Sequence, residues 1–451
     1  MRFLLLVAAA AFSCAAFGNS PPPPLDAVLQ ARIAESETPA CVAVGVVGEQ
    51  PRTAFGCSPE AGKVAIDENS IFEIGSITKG LTGILLADMV LRGEVKLDDP
   101  ASKYSRPGAK LPTRDGREIT LRDLVTHTAS LPRMPPGFNP KNPLDPYADY
   151  DADALYEALA KTELSRDIGT SSAYSNFGFM WLSEMLARRG GKSYEALLVE
   201  RVLEPLGMPS TRVVVPPAMQ ARVVTGHNSL YLPVPAWNDV MDLAGVGGVR
   251  SSLADMMRLA EALSGRRSTP LDQAIALAAT PLHRLGDPSL NIGYAWSMRD
   301  RESRRTYNHG GGTGGFASMI VFEREKKTAA VVLVDANTRF DDLALHLVDP
   351  DFPLARKRVA LVTDATLRQQ YVGNYELRPN FVITVFEDGD RLMARATGQS
   401  AAEVFRQGTD SFAYRVVDAR LAFTRDKEGK VDGLVLHQAG RQLPAKRVAG
   451  P

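Results

Sequence analysis

The chain has 451 residues, which is too long for one average domain and predicts two or three. Hydrophobic residues make up 45% of it and charged residues 23%, so it has the composition of a globular protein with ample material for a large core. The 52 basic and 52 acidic residues cancel, which argues against a nucleic-acid partner or an anionic membrane surface.

The first residues have the features of a secretory signal peptide, which we place at residues 1–18. Arg2 supplies a basic start, residues 3–17 are almost wholly apolar, and small residues follow. The apolar run is too short to span a bilayer as a stable helix, and we predict no other transmembrane anchor. Lipoprotein anchoring at Cys14 is the alternative, although the preceding Ala-Phe-Ser is a poor lead-in for it.

Two cysteines remain after export, and they bracket a predicted hairpin that follows a short helix at 25–36. Apolar arms flank a central Gly-Glu-Gln-Pro at 48–51, so a turn there places Cys41 opposite Cys57. In an oxidising compartment the two can form a disulfide. The other reading is a pair of buried free thiols, and the sequence leaves both open.

The segment 71–93 contains Ser76 three residues before Lys79, at the start of a predicted helix that Gly93 ends. Residues three apart share a helix face, so the Lys79 amine stands beside the Ser76 hydroxyl. A serine needs a nearby base to become a nucleophile, and a helix N-terminus favours developing negative charge. Taken alone, the same motif is also consistent with a serine that caps the helix and a lysine that is exposed to solvent.

The next part of the chain is predicted to be mainly helical. The predicted helices lie at 119–124, 153–161, 180–189, 194–206 and 252–263. A Pro-rich loop at 132–146 interrupts them, and such loops often line binding sites. We interpret His127 as a structural histidine satisfied by local backbone.

Tyr174 and Asn176 form the one Tyr-x-Asn of the sequence, just before a predicted helix. A tyrosine hydroxyl can shuttle a proton, and an asparagine can orient a substrate or Lys79. The alternative is an exposed turn with a helix-capping asparagine.

Predicted strands at 291–298 and 303–308 lead to His309, which opens a stretch with five glycines in seven residues. Glycine lets backbone N–H groups approach a ligand, so one of them together with that of Ser76 can form an oxyanion hole. A flexible glycine turn is the alternative. Phosphate-loop patterns are absent, and the six histidines lack metal-ligand spacing, so we predict neither a cofactor nor a metal.

The end of the chain has a different character. Strands at 317–322 and 328–334 and a helix at 340–348 precede a linker at 351–364. From 365 to 451, short alternating runs separated by turns predict a small antiparallel, barrel-like β domain.

Taken together, Ser76 with Lys79, then Tyr174 with Asn176, then His309 before two glycines resemble the three ordered motifs of the serine β-lactamases and penicillin-binding proteins. The resemblance covers roughly residues 25–350, where segments such as KLDDPASKY and LVTHTASLP are similar to class C β-lactamase-related proteins. It implies an α/β (α+β) fold with an antiparallel sheet flanked by helices and a mostly helical subdomain. The run 95–137 closely resembles periplasmic DD-carboxypeptidase/endopeptidases of the AmpH type, which implies a periplasmic location.

The resemblance also implies roles for individual residues. Ser76 is the expected nucleophile, and Lys79 and Tyr174 are expected to move protons. The backbone N–H groups of Ser76 and Gly312 are expected to hold the oxyanion. The residues expected to bind substrate are Asn176, His309, Gly310 and Gly311.

His309 departs from the lysine that most often opens the third motif, and a histidine need not be charged at neutral pH. This weakens the expectation of substrate-carboxylate recognition and of β-lactam turnover. We therefore expect a periplasmic peptidase acting on D-Ala-containing peptidoglycan peptides, with a β-lactam as the other expected ligand. A β-lactamase, a carboxylesterase or a D-aminopeptidase of the same fold are the alternatives. An intact Ser76, Lys79 and Tyr174 argue against a non-catalytic binding protein.

Overall fold

The structure is a computed structural model that describes residues 23–62, 65–238, 240–302, 304–356, 363–379, 381–399, 401–414, 419–438 and 441–448. The predicted signal peptide, including Cys14, lies outside these residues. None of the described helices combines the length and the apolar character needed to cross a membrane.

The helices are numbered in chain order. They are α1 (Leu25–Ala34), α2 (Thr78–Leu91), α3 (Leu121–Val125), α4 (Ala152–Lys161), α5 (Asn176–Gly190), α6 (Tyr194–Leu198), α7 (Glu204–Leu206), α8 (Leu253–Ser264), α9 (Asp272–Ala278), α10 (Asp341–Val348) and α11 (Ala365–Tyr371).

The strands before residue 350 form one large sheet and three small hairpins or strand pairs. They are β1 (Cys41–Val47), β2 (Arg52–Cys57), β3 (Ile71–Glu73), β4 (Thr113–Arg114), β5 (Arg117–Glu118), β6 (Gly226–His227), β7 (Pro233–Val234), β8 (Arg250–Ser252), β9 (His283–Arg284), β10 (Leu290–Ile292), β11 (Ser297–Arg301), β12 (Arg304–Gly312), β13 (Ala317–Glu323) and β14 (Thr328–Val334). The large sheet has the antiparallel order β2-β1-β14-β13-β12-β11-β10-β9.

Helices cover both faces of this sheet, which explains why its central strands are apolar without alternation. In β1, Ala43 and Val47 belong to the core shared with α2 and α8, whereas Val42 and Val44 belong to the core shared with α1 and α10. The fold class predicted from the sequence is therefore confirmed for this part of the chain.

Helix α2 lies at the centre of the larger core. Residues 78–89 are all buried, and most of them are apolar or glycine. The helix packs against α9 and against the 3₁₀ turn Met241–Val246. Helix α2 is thus packed on several sides.

The two cysteines are cross-strand neighbours at one end of the predicted hairpin. Cys41 of β1 lies opposite Cys57 of β2, and a disulfide joins them. The sequence left open whether these cysteines form a disulfide or remain free thiols, and the structure contains the disulfide.

The C-terminal part of the chain is a closed antiparallel barrel that follows α11. Its strands are β15 (Gly373–Arg378), β16 (Phe381–Asp388), β17 (Arg391–Ala396), β18 (Ala402–Gly408), β19 (Ser411–Tyr414), β20 (Ala419–Arg425), β21 (Val431–Gln438) and β22 (Arg441–Val448). Aromatic side chains such as Tyr371, Tyr375 and Phe412 fill its interior. The predicted small antiparallel β domain is therefore confirmed as a barrel.

Several predicted boundaries were wrong. Helix α5 begins at Asn176 rather than at residue 180, because the Ser175 side chain accepts the N–H of Gly178 and caps the helix. The predicted strand 291–298 is two strands, since Ala295 has φ of 70° and turns the chain. The predicted helix 194–206 contains a π-helical segment at Val199–Leu203.

Candidate active site

Ser76 sits in a 3₁₀ turn, Gly75–Ile77, that links strand β3 to helix α2. Lys79, in the first turn of α2, places its Nζ 3.0 Å from the Ser76 Oγ. Lys79 is fully buried, and its Nζ also donates to the carbonyl oxygen of Val246 at 2.5 Å. The spacing read from the sequence therefore brings hydroxyl and amine into direct contact.

The end of strand β12 lies against this turn at a distance that only glycine permits. A β carbon on Gly311 would lie 2.0 Å from the carbonyl oxygen of Ile74. Gly75 has φ of +48°, and a β carbon there would lie 2.6 Å from the amide nitrogen of Gly312. The backbone of Gly312 therefore meets the turn that carries Ser76.

Tyr174 lies beside the same pair. The Lys79 Nζ is 4.9 Å from the centre of the Tyr174 ring. Burial raises the pKa of the Tyr174 phenol, against the opposing effects of the Ser76 hydroxyl and the positive charges of Arg133 and Arg339. The phenol is therefore protonated at neutral pH.

Asn176 lines a cavity that Ser76 also lines. Its Nδ2 donates to the Tyr147 hydroxyl at 3.4 Å and lies 3.5 Å from the Met134 sulfur. Among the described residues its buried Oδ1 has no hydrogen-bond partner. An asparagine with a free acceptor is suited to receive an N–H group of a ligand.

His309 is buried, and its ring forms a hydrogen bond with the backbone of the next residue. Its Nδ1 lies 2.8 Å from the carbonyl oxygen of Gly310, so Nδ1 donates and Nε2 is left as an acceptor. Burial and the nearby charge of Lys79 lower the pKa of His309 to about 3. The imidazole is therefore neutral at neutral pH and adds no positive charge to the site.

Two arginines that the sequence reading did not select supply positive charge instead. Arg339, after strand β14, donates to the carbonyl oxygen of Gly311 at 2.7 Å and pairs with Asp341 at 2.6 Å. Arg133 lies with its guanidinium 5.1 Å from the Tyr174 ring centre. Arg133 belongs to the Pro-rich loop that was expected to line a site, whereas no pattern in the sequence marks Arg339.

These residues line two adjoining cavities that share Ser76, Arg133 and Gly312. The first, of about 200 Å³, is lined also by Met134, Tyr147, Asn176, Trp237, Val246 and Gly247. The second, of about 350 Å³, is lined also by His127, Tyr174, Ile292, Ala295, Ser297, Asn308, His309, Gly310, Gly311 and Arg339. A substrate can thus extend to both sides of the Ser76 hydroxyl.

The prediction for His127 was wrong in one respect. Its Nδ1 accepts the backbone N–H of Ser175 at 3.1 Å, so its partner lies 48 residues away rather than in the local turn.

No group of three or more His, Cys, Asp or Glu within the described part of the chain is arranged to hold a metal ion.

Comparison with known proteins places these observations in a family. The family model described as Beta-lactamase matches residues 25–349, and one described as a domain of unknown function, DUF3471, matches residues 357–447. The D-alanyl-D-alanine-carboxypeptidase/endopeptidase AmpH of Escherichia coli (strain K12) is 32% identical over 292 residues, which cover 61% of this chain and 74% of that protein.

Two further similarities extend the comparison. Penicillin-binding protein 4* of Bacillus subtilis (strain 168) is 23% identical over 429 residues, covering 87% of this chain and 91% of that protein. A solved class C beta-lactamase superposes with a TM-score of 0.62 at 20% identity, over 72% of this chain and 94% of that one, which shows a shared fold.

Proposed function

This chain is a serine hydrolase that belongs to the beta-lactamase family, and we propose that it hydrolyses D-Ala-containing peptides in the periplasm through an acyl-enzyme on Ser76. The observation that carries the mechanism is the 3.0 Å contact between the Lys79 amine and the Ser76 hydroxyl, beside the backbone of Gly312. Nucleophile and base in direct contact are what a covalent hydrolase requires.

Acylation begins when the free-base form of Lys79 accepts the proton of the Ser76 hydroxyl as Oγ attacks the substrate carbonyl carbon. The carbonyl oxygen becomes an oxyanion, which the backbone N–H groups of Ser76 and Gly312 stabilise. The protonated Tyr174 donates to the leaving amine, and Lys79 returns a proton to the phenolate. The C–N bond breaks, and the acyl group remains on Ser76.

Deacylation reverses the proton movements with water in place of the amine. Water loses a proton to the Lys79–Tyr174 pair as it attacks the ester carbon, and the Ser76 alkoxide recovers a proton when the ester bond breaks. The step needs no group beyond this chain and water.

The substrate proposal rests on the similarity to AmpH and on the charge of the site. With His309 neutral, Arg339 and Arg133 are the cations that line the cavity on the Tyr174 side of Ser76. A guanidinium attracts a carboxylate and donates charge-assisted hydrogen bonds to it, so this cavity suits the C-terminal carboxylate of a D-Ala peptide. The cavity with Met134, Tyr147 and Trp237 is left for the acyl side of the peptide.

The proposed location rests on two features. The N-terminal sequence has the basic and apolar regions of a signal peptide. The Cys41–Cys57 disulfide is of the kind that persists in an oxidising compartment such as the bacterial periplasm.

A panel of three substrates tests the substrate proposal. The purified mature protein is incubated separately with a pentapeptide ending in D-Ala-D-Ala, with nitrocefin and with p-nitrophenyl acetate. The Ser76→Ala variant of the protein is assayed with the same three substrates. Release of D-Ala that depends on Ser76 supports the peptidase. Turnover of nitrocefin without peptide cleavage indicates a β-lactamase, and turnover of the ester alone indicates a carboxylesterase.

A further inference from the structure

His127 accepts hydrogen bonds from the backbone N–H groups of the two residues that flank Tyr174. Its carbonyl oxygen accepts the N–H of Ala173 at 2.8 Å, and its ring Nδ1 accepts the N–H of Ser175 at 3.1 Å. Its ring centre also lies 4.5 Å from that of Tyr174. One residue thus contacts the backbone on each side of the phenol and the phenol ring itself.

The backbone at His127 is constrained to make these contacts. Its φ is 59°, in the left-handed region that costs a non-glycine residue roughly 1–2 kcal/mol. The side chain is buried between Tyr174 and Phe179, whose ring centre is 5.0 Å away. Strain of this kind persists only where surrounding structure maintains it, and it is concentrated at functional sites.

The imidazole is not arranged to accept a proton from substrate. Because Nδ1 accepts a backbone N–H, the neutral ring carries its proton on Nε2, which has no hydrogen-bond partner among the described residues. Burial, and after it the positive charges of Lys79 and Arg133, lower the pKa of His127 well below its ordinary value. His127 therefore stays neutral and does not compete with Lys79 as a base.

We propose that His127 is a positioning residue that fixes the phenol of Tyr174 against Ser76 during acyl transfer. The inference rests on the proposed function, because it explains how that mechanism keeps its proton donor in place. It assigns the effect of the side chain to the hydrogen bond from the Ser175 N–H to Nδ1 and gives no role to the Nε2–H group.

Two substitutions separate positioning from backbone strain. Glycine adopts positive φ freely, so His127→Gly removes the Nδ1 acceptor and the ring without adding strain. Asparagine also tolerates the left-handed region, and its Oδ1 can replace Nδ1 as the acceptor for the Ser175 N–H. His127→Asn therefore keeps the hydrogen bond while removing Nε2–H.

The acylation rate constant is measured with a fluorescent penicillin and with p-nitrophenyl acetate for the parent, H127G, H127N, Y174F and the double variant H127G/Y174F. We expect H127G to slow acylation about 100-fold, of the order of a lost proton-transfer contribution, and H127N to stay within about fivefold of the parent. In the Y174F background, H127G should add less than about threefold, because residues that act as one unit are not additive.

Some results would overturn the positioning role of His127 without overturning the proposed hydrolase function. Losses that multiply in the double variant, or H127G at the parent rate, overturn the positioning role while Ser76-dependent acylation remains. Crystal structures give a readout that does not depend on activity: we expect the Tyr174 hydroxyl to move away from Ser76 in H127G and to stay in H127N. An unmoved phenol in H127G also overturns the proposal. Melting temperatures show whether each variant folds.

Discussion

Gly311 and Ile74 hold the third motif against the turn that carries the nucleophile. A β carbon at position 311 would lie 2.0 Å from the carbonyl oxygen of Ile74, a backbone atom that cannot move aside without shifting the turn. That carbonyl oxygen is also held by the hydroxyl of Ser318 at 2.8 Å. The spacing between the Ser76 turn and Gly312 therefore depends on Gly311 having no side chain.

Gly311→Ala should consequently displace Gly312 from Ser76 and lower kcat/KM by at least about 100-fold, the loss seen when one oxyanion-hole donor is removed. Gly48→Ala is the matched control, since a β carbon there has no atom within 4 Å. Steady-state kinetics with the best substrate of the panel, beside thermal unfolding, checks this. Parent-like activity in Gly311→Ala would show that the contact does not matter.

Tyr174→Phe tests the phenol hydroxyl without changing the ring. The variant should keep the ring contacts with His127 and Lys79 and therefore a parent-like melting temperature. Its kcat should fall by about 10²- to 10⁴-fold, because the proton relay to the leaving group is lost.

Tyr147→Phe is the control for the phenol variant. It removes a hydroxyl from the neighbouring cavity, where Tyr147 accepts from Asn176. We expect a change mainly in KM. If Tyr174→Phe were no slower than Tyr147→Phe, the phenol would not be the proton donor.

Arg339→Gln should weaken binding of substrates that end in a carboxylate. A charge-assisted hydrogen bond contributes about 1.5–3 kcal/mol, so KM for a D-Ala-D-Ala peptide should rise by roughly 10- to 100-fold. The same peptide with an amidated C-terminus should be affected less than about threefold.

Arg92→Gln is the control for the arginine variant, because the Arg92 side chain is exposed and its partner Asp88 keeps an ion pair with Arg201. Equal changes for the free-acid and the amidated peptide would assign Arg339 a structural role through its contact with Gly311 instead.

The pKa of His309, about 3 in the folded protein against an ordinary value near 6.5, predicts a loss of stability in mild acid. Between these values the unfolded chain binds a proton that the folded protein does not, so the free energy of unfolding falls as the pH decreases below about 6.5. From about pH 7.5 to about 5.5 this amounts to roughly 1 kcal/mol for His309.

Urea unfolding of the parent and of His309→Asn at the two pH values measures this effect. The decrease between them should be smaller in the variant by about 1 kcal/mol, whatever its absolute stability. The lowered pKa of His127 acts in the same direction and remains in both proteins. Identical decreases in the two proteins would mean that His309 is not held neutral by burial.

Features that depend on short sequence segments could be predicted from the sequence alone. The Ser76–Lys79 contact follows from helical spacing, and the family fold follows from three ordered motifs, so both could be predicted without coordinates. The start of α5 was misplaced because capping by Ser175 depends on a side-chain conformation rather than on apolar spacing.

The charge of the site could not be predicted in this way, because it depends on tertiary burial. The neutrality of His309 arises from its buried position beside Lys79, which residue spacing does not reveal. Arg339 reaches Gly311 across 28 residues of chain, and no local pattern distinguishes it from other surface arginines. The partner of His127 is similarly distant.

The most direct test of the account is covalent labelling followed by mass spectrometry. The mature protein is incubated with a fluorescent penicillin, digested, and searched for the acylated peptide, beside Ser76→Ala and Lys79→Ala. We predict a single acyl adduct on Ser76, absent from Ser76→Ala and formed at least about 100-fold more slowly in Lys79→Ala. An adduct on another residue, or labelling that persists in Ser76→Ala, would contradict the central claim.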